Sequence, residues 1–96
     1  MPPLPPPENV QPTSDDLVFA AMEQFAEVGW QRQLNGSWKK QIEGYTFTIF
    51  RARGRWFWEL TYPDGYFPPQ VPEYSEDYFP SADEAKWDAA RIGFSL

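Results

Sequence analysis

The stretch YTFTIFRARGRWFWELTY, residues 45–62, decides the fold. Apolar and polar side chains alternate on both sides of Arg53-Gly54, the pattern of two half-buried strands joined by a tight turn. If Ala52 opposes Arg55, then Ile49 opposes Trp58 and Phe47 opposes Leu60. Tyr45, Phe47, Ile49, Trp56, Trp58 and Leu60 then share one face. A one-residue slip would replace them with Phe57, Glu59 and Thr61, so the hydrophobic pattern selects the two-residue turn. Upstream, SWKKQI (37–42) joins the same sheet through Glu43-Gly44. With Ile42 opposite Tyr45, Trp38 opposes Ile49, and both extend the apolar face. Asn35-Gly36 is a further hairpin signal and offers a fourth short strand over 30–34, although its alternation does not match the core face.

Helices are expected on either side of this meander. In TSDDLVFAAMEQFAEVGW (13–30), Thr13 or Ser14 can cap a helix, with Asp15 and Asp16 at its positive end. Leu17, Ala21, Phe25 and Val28 recur at helical spacing, flanked by Val18 and Met22, and Gly29 supplies the stop. At the other end, SADEAKWDAARIGF (81–94) opens on a capping box, Ser81 with Glu84. Ala85, Ala89 and Ile92 form its inward stripe, and the small alanines allow close approach to a sheet crowded with rings. Residues 63–80 carry no clear element, but Tyr66, Phe67, Tyr74, Tyr78 and Phe79 argue that this long loop is packed. The first twelve residues hold six prolines, which predicts a disordered, extended tail outside a single domain at 13–96. The tail's P-x-x-P spacings are of the kind that dock in aromatic grooves.

A domain this small buries only about 60% of its unfolded surface. With no cysteine and no histidine, disulfides, thiolate nucleophiles and imidazole ligands are excluded. The eighteen aromatic residues must therefore supply most of the core. No leader pattern and no membrane-length apolar run is visible, so a cytoplasmic location is expected. The net charge of −6 conceals a strong division. Residues 32–55 hold Arg32, Lys39, Lys40, Arg51, Arg53 and Arg55 against Glu43 alone, a charge of +5, and the remainder of the chain carries −11.

The fold order, closing on SADEAKWDAA (81–90), resembles the double-stranded-RNA-binding domain. In that family the second helix opens on a serine followed by an A-K-x-x-A-A run, matched here by Ser81, Ala85, Lys86, Ala89 and Ala90. The resemblance implies an α+β fold of order α-β-β-β-α, with both helices packed on one face of an antiparallel meander. The family's paired phosphate-binding lysines are replaced by Ala82 and Asp83, followed by Glu84. Its groove-entering loop is reduced to Glu43-Gly44. Carboxylates at that helix start repel phosphate, so the resemblance extends to the fold and not to RNA contact.

No G-x-S-x-G elbow, Gly-rich phosphate loop or Ser-x-x-Lys is present, and neither an enzyme nor a cofactor is expected. Glu73, Glu76 and Asp77 fit no calcium loop and read as solvated acids. The outer face of the sheet is the unusual feature. The register places Lys39, Thr48 and Glu59 in a polar row across it and sets Phe50 against Phe57, beside Arg55 and near Arg53. Arg51 is expected to lie over Trp56 as a cation–π lid. Paired rings bordered by arginine have the composition of an interface centre, unless Tyr66 and Phe67 fold back over them. The expected function is a small adaptor or inhibitor that binds a protein partner through Phe50, Phe57, Arg51, Arg53, Arg55 and Lys39, with a second copy of the chain as an alternative partner. Two other readings are single-stranded nucleic acid stacked on the rings and an acidic nucleic-acid mimic.

Overall fold

The computed structural model describes residues 14–96; the Pro-rich stretch at 1–12 and a cap at Thr13 lie outside the described residues. The chain runs α1 (Ser14–Glu27), β1 (Gln31–Arg32), β2 (Trp38–Ile42), β3 (Tyr45–Ala52), β4 (Arg55–Thr61), β5 (Glu73–Tyr74) and α2 (Ala82–Gly93). The five strands form one antiparallel sheet in chain order, with the helices on one face. Among the described residues, no helix is long and apolar enough to cross a membrane.

The two central hairpins take the expected registers. Ile42 pairs with Tyr45 and Trp38 with Ile49; Ala52 pairs with Arg55, Ile49 with Trp58 and Phe47 with Leu60. Their turns require positive φ at both central positions, which Glu43-Gly44 adopts at 50° and 82° and Arg53-Gly54 at 52° and 79°. That backbone twist matches the right-handed twist of the strands, so each hairpin closes without a bulge.

The core is Phe47, Ile49, Trp58 and Leu60 from the sheet, with Ala85, Ala89 and Ala90 from α2 and Phe25 and Ala26 from α1. The second helix lies across β3 and β4, and α1 packs along α2. The Ser81 side chain accepts from the Glu84 N–H at 3.2 Å, as the capping box predicts. Trp58 Nε1 donates to Asp88 Oδ2 at 2.7 Å, which fixes α2 over the sheet and satisfies the one polar atom of a buried ring. The helices approach so closely at Gly93 that a Cβ there would overlap the Phe25 ring.

Three elements depart from the sequence reading. The sheet has five strands rather than three or four, because a two-residue β1 and a two-residue β5 extend its edges. Leu34 belongs to the five-residue turn between β1 and β2 and is fully exposed, which explains why its alternation did not fit a strand. Leu17 in α1 and Val28 just beyond its end face solvent, while Met22, Phe25 and Ala26 turn inward and Phe19 stacks on Trp87 at 5.7 Å. The LVFAAM run is apolar all round, so the contact with α2 rather than the helical period selects the buried face.

Candidate interaction surface

Alternation along β3 and β4 sends every second side chain to the face away from the helices. Across that face run the pairs Lys39–Thr48, Thr48–Glu59 and Glu59–Tyr74, a polar row spanning four strands. Glu59 is engaged within the row. Thr61 Oγ1 donates to it at 3.1 Å, and the Tyr74 hydroxyl bonds to it, which pushes the Tyr74 phenol up from its ordinary value. One ladder step beyond the row, Phe50 and Phe57 lie directly against each other and are each half-buried.

A third ring joins them. Trp56 N–H donates to Phe79 O at 2.8 Å and Phe79 N–H to Trp56 O at 2.7 Å, an isolated antiparallel bridge. The bridge sets Tyr78 on the outer side, with its ring edge-on to Phe57 at 5.4 Å. The 63–80 loop therefore does return to the aromatic pair, but through Tyr78 and not through the residues expected. Tyr66 stacks instead on Tyr62 and Tyr45 at 5.1 and 6.2 Å, at the opposite end of the hairpin, and Phe67 is exposed. Tyr78 covers only one side and stays 60% exposed, so the three rings form a surface island. Nothing in the sequence distinguishes Tyr78 from the other loop aromatics; the Trp56–Phe79 bridge makes the selection.

The arginines fan out from the hairpin end. Arg55 shares the outer face with Phe57, Arg53 occupies the turn, and Arg51 lies on the helix side opposite Trp56. All three are exposed. The ion pairs among the described residues are Lys86–Asp83 and Arg91–Asp88, so none of these arginines is neutralised by a carboxylate. The expected stacking of Arg51 on Trp56 does not form; Arg51 instead lines a groove of about 400 Å³ with Arg32, Asn35, Gly36, Ser37, Phe50 and Trp56. Arg32 enters this groove from β1, with its guanidinium 5.7 Å from the Trp38 ring centre. Lys39 is separate from both features, in a polar recess with Gln31, Gln33 and Gln41.

The adjacent Lys40 went unread in the sequence, although alternation from Trp38 places it inward. Its ammonium donates to Phe25 O at 2.8 Å and Val28 O at 2.6 Å and lies 4.2 Å from the Phe25 ring centre. Helix C-terminal carbonyls lack intrahelical partners and carry partial negative charge, so Lys40 caps α1 from the sheet. Burial lowers its pKa from the ordinary 10.5. Lys86 is likewise buried, 3.8 Å from the Trp38 ring centre, and burial lowers its pKa against the opposing pull of Asp83.

No group of His, Cys, Asp and Glu suited to a metal ion occurs among the described residues. No protein-family model matches the chain, and no curated protein or solved structure matches it.

Proposed function

We propose that this chain is a non-enzymatic protein-interaction module, an adaptor or inhibitor, that meets its partner at the tip of the β3–β4 hairpin. The observation that carries this reading is the half-exposed island of Phe50, Phe57 and Tyr78 beside Arg51, Arg53 and Arg55, which have no carboxylate partner among the described residues. Interface centres combine aromatic anchors with arginine, and a solvated sheet face needs neither in such density. The −11 remainder of the chain disfavours a nucleic-acid surface. Base stacking is disfavoured as well, since Phe57 has Phe50 on one side and Tyr78 on the other.

The likeness to the double-stranded-RNA-binding domain stays at the level of element order and the Ser81–Ala90 run. The lysine of that run, Lys86, lies on Trp38 instead of reaching outward, which argues against family-type RNA contact.

The test is affinity capture from native lysate with wild type beside the Phe50→Ala/Phe57→Ala double variant, with thermal melts of both. The expected result is a protein retained by wild type and lost by a still-folded variant. A melting temperature that collapses would make the rings core, and equal capture by both proteins would remove the island from the interface. A solution mass separates a foreign partner from self-association, and oligonucleotide binding at about 50 mM salt would favour the nucleic-acid reading.

A further inference from the structure

Where β3 outruns β2, the sheet has an open edge. Pairing between these strands ends at Trp38–Ile49, so Phe50, Arg51 and Ala52 have no ladder partner on the β2 side among the described residues. Counting outward from the two-residue turns, the hydrogen-bonded pairs with β2 fall at Tyr45, Phe47 and Ile49. The next residue in that series is Arg51, whose N–H and C=O therefore point at the position β2 vacates. The chain that could have filled it turns away. Gly36 N–H donates to Gln33 O at 2.9 Å, and Asn35 Oδ1 accepts from both the N–H and the hydroxyl of Ser37 at 3.0 and 2.6 Å. What remains is the groove of about 400 Å³ described above, with Arg32 and Arg51 on its walls, neither ion-paired among the described residues.

We infer that this edge receives a short extended segment of a protein partner, with an acidic residue opposite Arg51 and an apolar residue next to it opposite Phe50. The inference rests on the interaction-module reading and names the partner's chemistry. Strand addition supplies main-chain hydrogen bonds and leaves alternate side chains to set specificity. A residue hydrogen-bonded to Arg51 projects its side chain to the helix side, where Arg51 and Arg32 both lie, because Arg32 pairs with Trp38 on that same side. A carboxylate there lies beside two guanidinium-bearing side chains, the donors that bind carboxylates most strongly. The neighbouring residue projects to the opposite side, onto Phe50 and the aromatic island. The +5 charge of residues 32–55 adds long-range attraction for an acidic segment.

The probe is a fluorescein-labelled peptide, Gly-Ser-Val-Glu-Val-Ser-Gly, titrated against the folded chain by fluorescence anisotropy. Three other peptides are measured beside it: one with Gln for Glu, one with Lys for Glu, and one N-methylated at the Glu nitrogen. Binding is expected to weaken about tenfold with Gln, to disappear with Lys, and to fall several-fold on N-methylation, because the ladder donor is lost. An Arg32→Ala/Arg51→Ala variant should bind the Glu and Gln peptides equally. Equal affinity of wild type for the Glu, Gln and Lys peptides, no binding at millimolar peptide, or indifference to N-methylation would each overturn the strand-addition inference. The parent reading fails separately, if the Phe50→Ala/Phe57→Ala variant captures partners as well as wild type does. Partner capture that is lost with the two phenylalanines but unaffected by the two arginines would uphold the module and overturn the acidic segment.

Discussion

Beneath the helices, the ammonium groups of Lys40 and Lys86 lie 4.2 and 3.8 Å from aromatic ring centres, and both residues are buried. At the far end of the sheet, Arg51, Arg53 and Arg55 stand beside Phe50, Trp56 and Phe57, exposed and with no ion pair among the described residues. The two regions use the same ingredients, cations and rings. The difference lies in the remaining valences of the cation. Lys40 directs two of its three N–H donors at carbonyls near the end of α1 and lies over the Phe25 ring, so its burial is compensated and joins a helix to a strand. The tip arginines face solvent, and no carboxylate among the described residues accepts from them. Chemically similar clusters are therefore told apart by whether the polar atoms are already satisfied.

That contrast is broken most directly at the rings. Phe47 is fully buried at the centre of the covered face, and Phe47→Ala should cost about 3–5 kcal/mol in urea unfolding. Phe57→Ala, on the open face, should cost about 1 kcal/mol. Equal losses would erase the distinction between the faces. Gly93→Ala comes next, with an expected loss of about 1–3 kcal/mol, since the new methyl must displace Phe25, a ring already packed against Phe47 and Trp30. If α1 is held loosely, the substitution will be nearly neutral.

Lys40→Met tests the satisfied cation. It leaves the Val28 carbonyl without its donor and the Phe25 carbonyl with Trp30 Nε1 alone, at 3.0 Å, and should cost about 1–2 kcal/mol near neutral pH. The pH dependence carries a sign of its own. Because burial lowers the Lys40 pKa, the unfolded chain holds a proton that the native state has shed, in the window between the folded value and 10.5. This group's contribution to stability therefore rises with pH across that window, and Lys40→Met should remove the rise. Tyr62 acts in the opposite direction. Its hydroxyl donates to Glu73, which pushes its pKa up from 10.0 to about 12. Its contribution is full below pH 10.0 and is lost as the pH climbs to about 12. Urea midpoints measured across this alkaline range should show Lys40→Met and Tyr62→Phe changing the slope in opposite senses.

The central hairpins were legible because period-two alternation and two-residue turns leave one register that buries the large residues. The capping box at Ser81–Glu84 was legible for a similarly local reason. What escaped the sequence was set by distant partners. The inward face of α1 was decided by Gly93 and α2, and the return of Tyr78 by a two-bond bridge to Trp56. At the candidate surface, the Phe50–Phe57 pair followed from register alone. The grouping of Arg51 with Arg32 did not, because it depends on where β2 stops and on how the Asn35–Ser37 turn folds onto itself. Lys40 was obscured by its neighbour, since alternation sends one residue of a Lys-Lys pair inward and nothing local announces the helix end waiting for it.

Arg53 offers the smallest effect and the finest test of the comparison. It occupies the first central turn position at φ 52°, a left-handed conformation that strains a long side chain and that asparagine tolerates. Arg53→Asn should therefore stabilise the fold by about 0.5 kcal/mol, read as a small rise in the urea midpoint. The same change removes one of three tip charges that have no ion pair among the described residues, so it should slow association with an acidic partner and reduce the salt dependence of binding. A gain in stability together with a loss in association rate is the outcome expected of a residue retained at the tip for its charge and against local backbone preference. A loss of stability would instead mean that the Arg53 side chain holds the hairpin, and the tip would then resemble the satisfied cations beneath the helices.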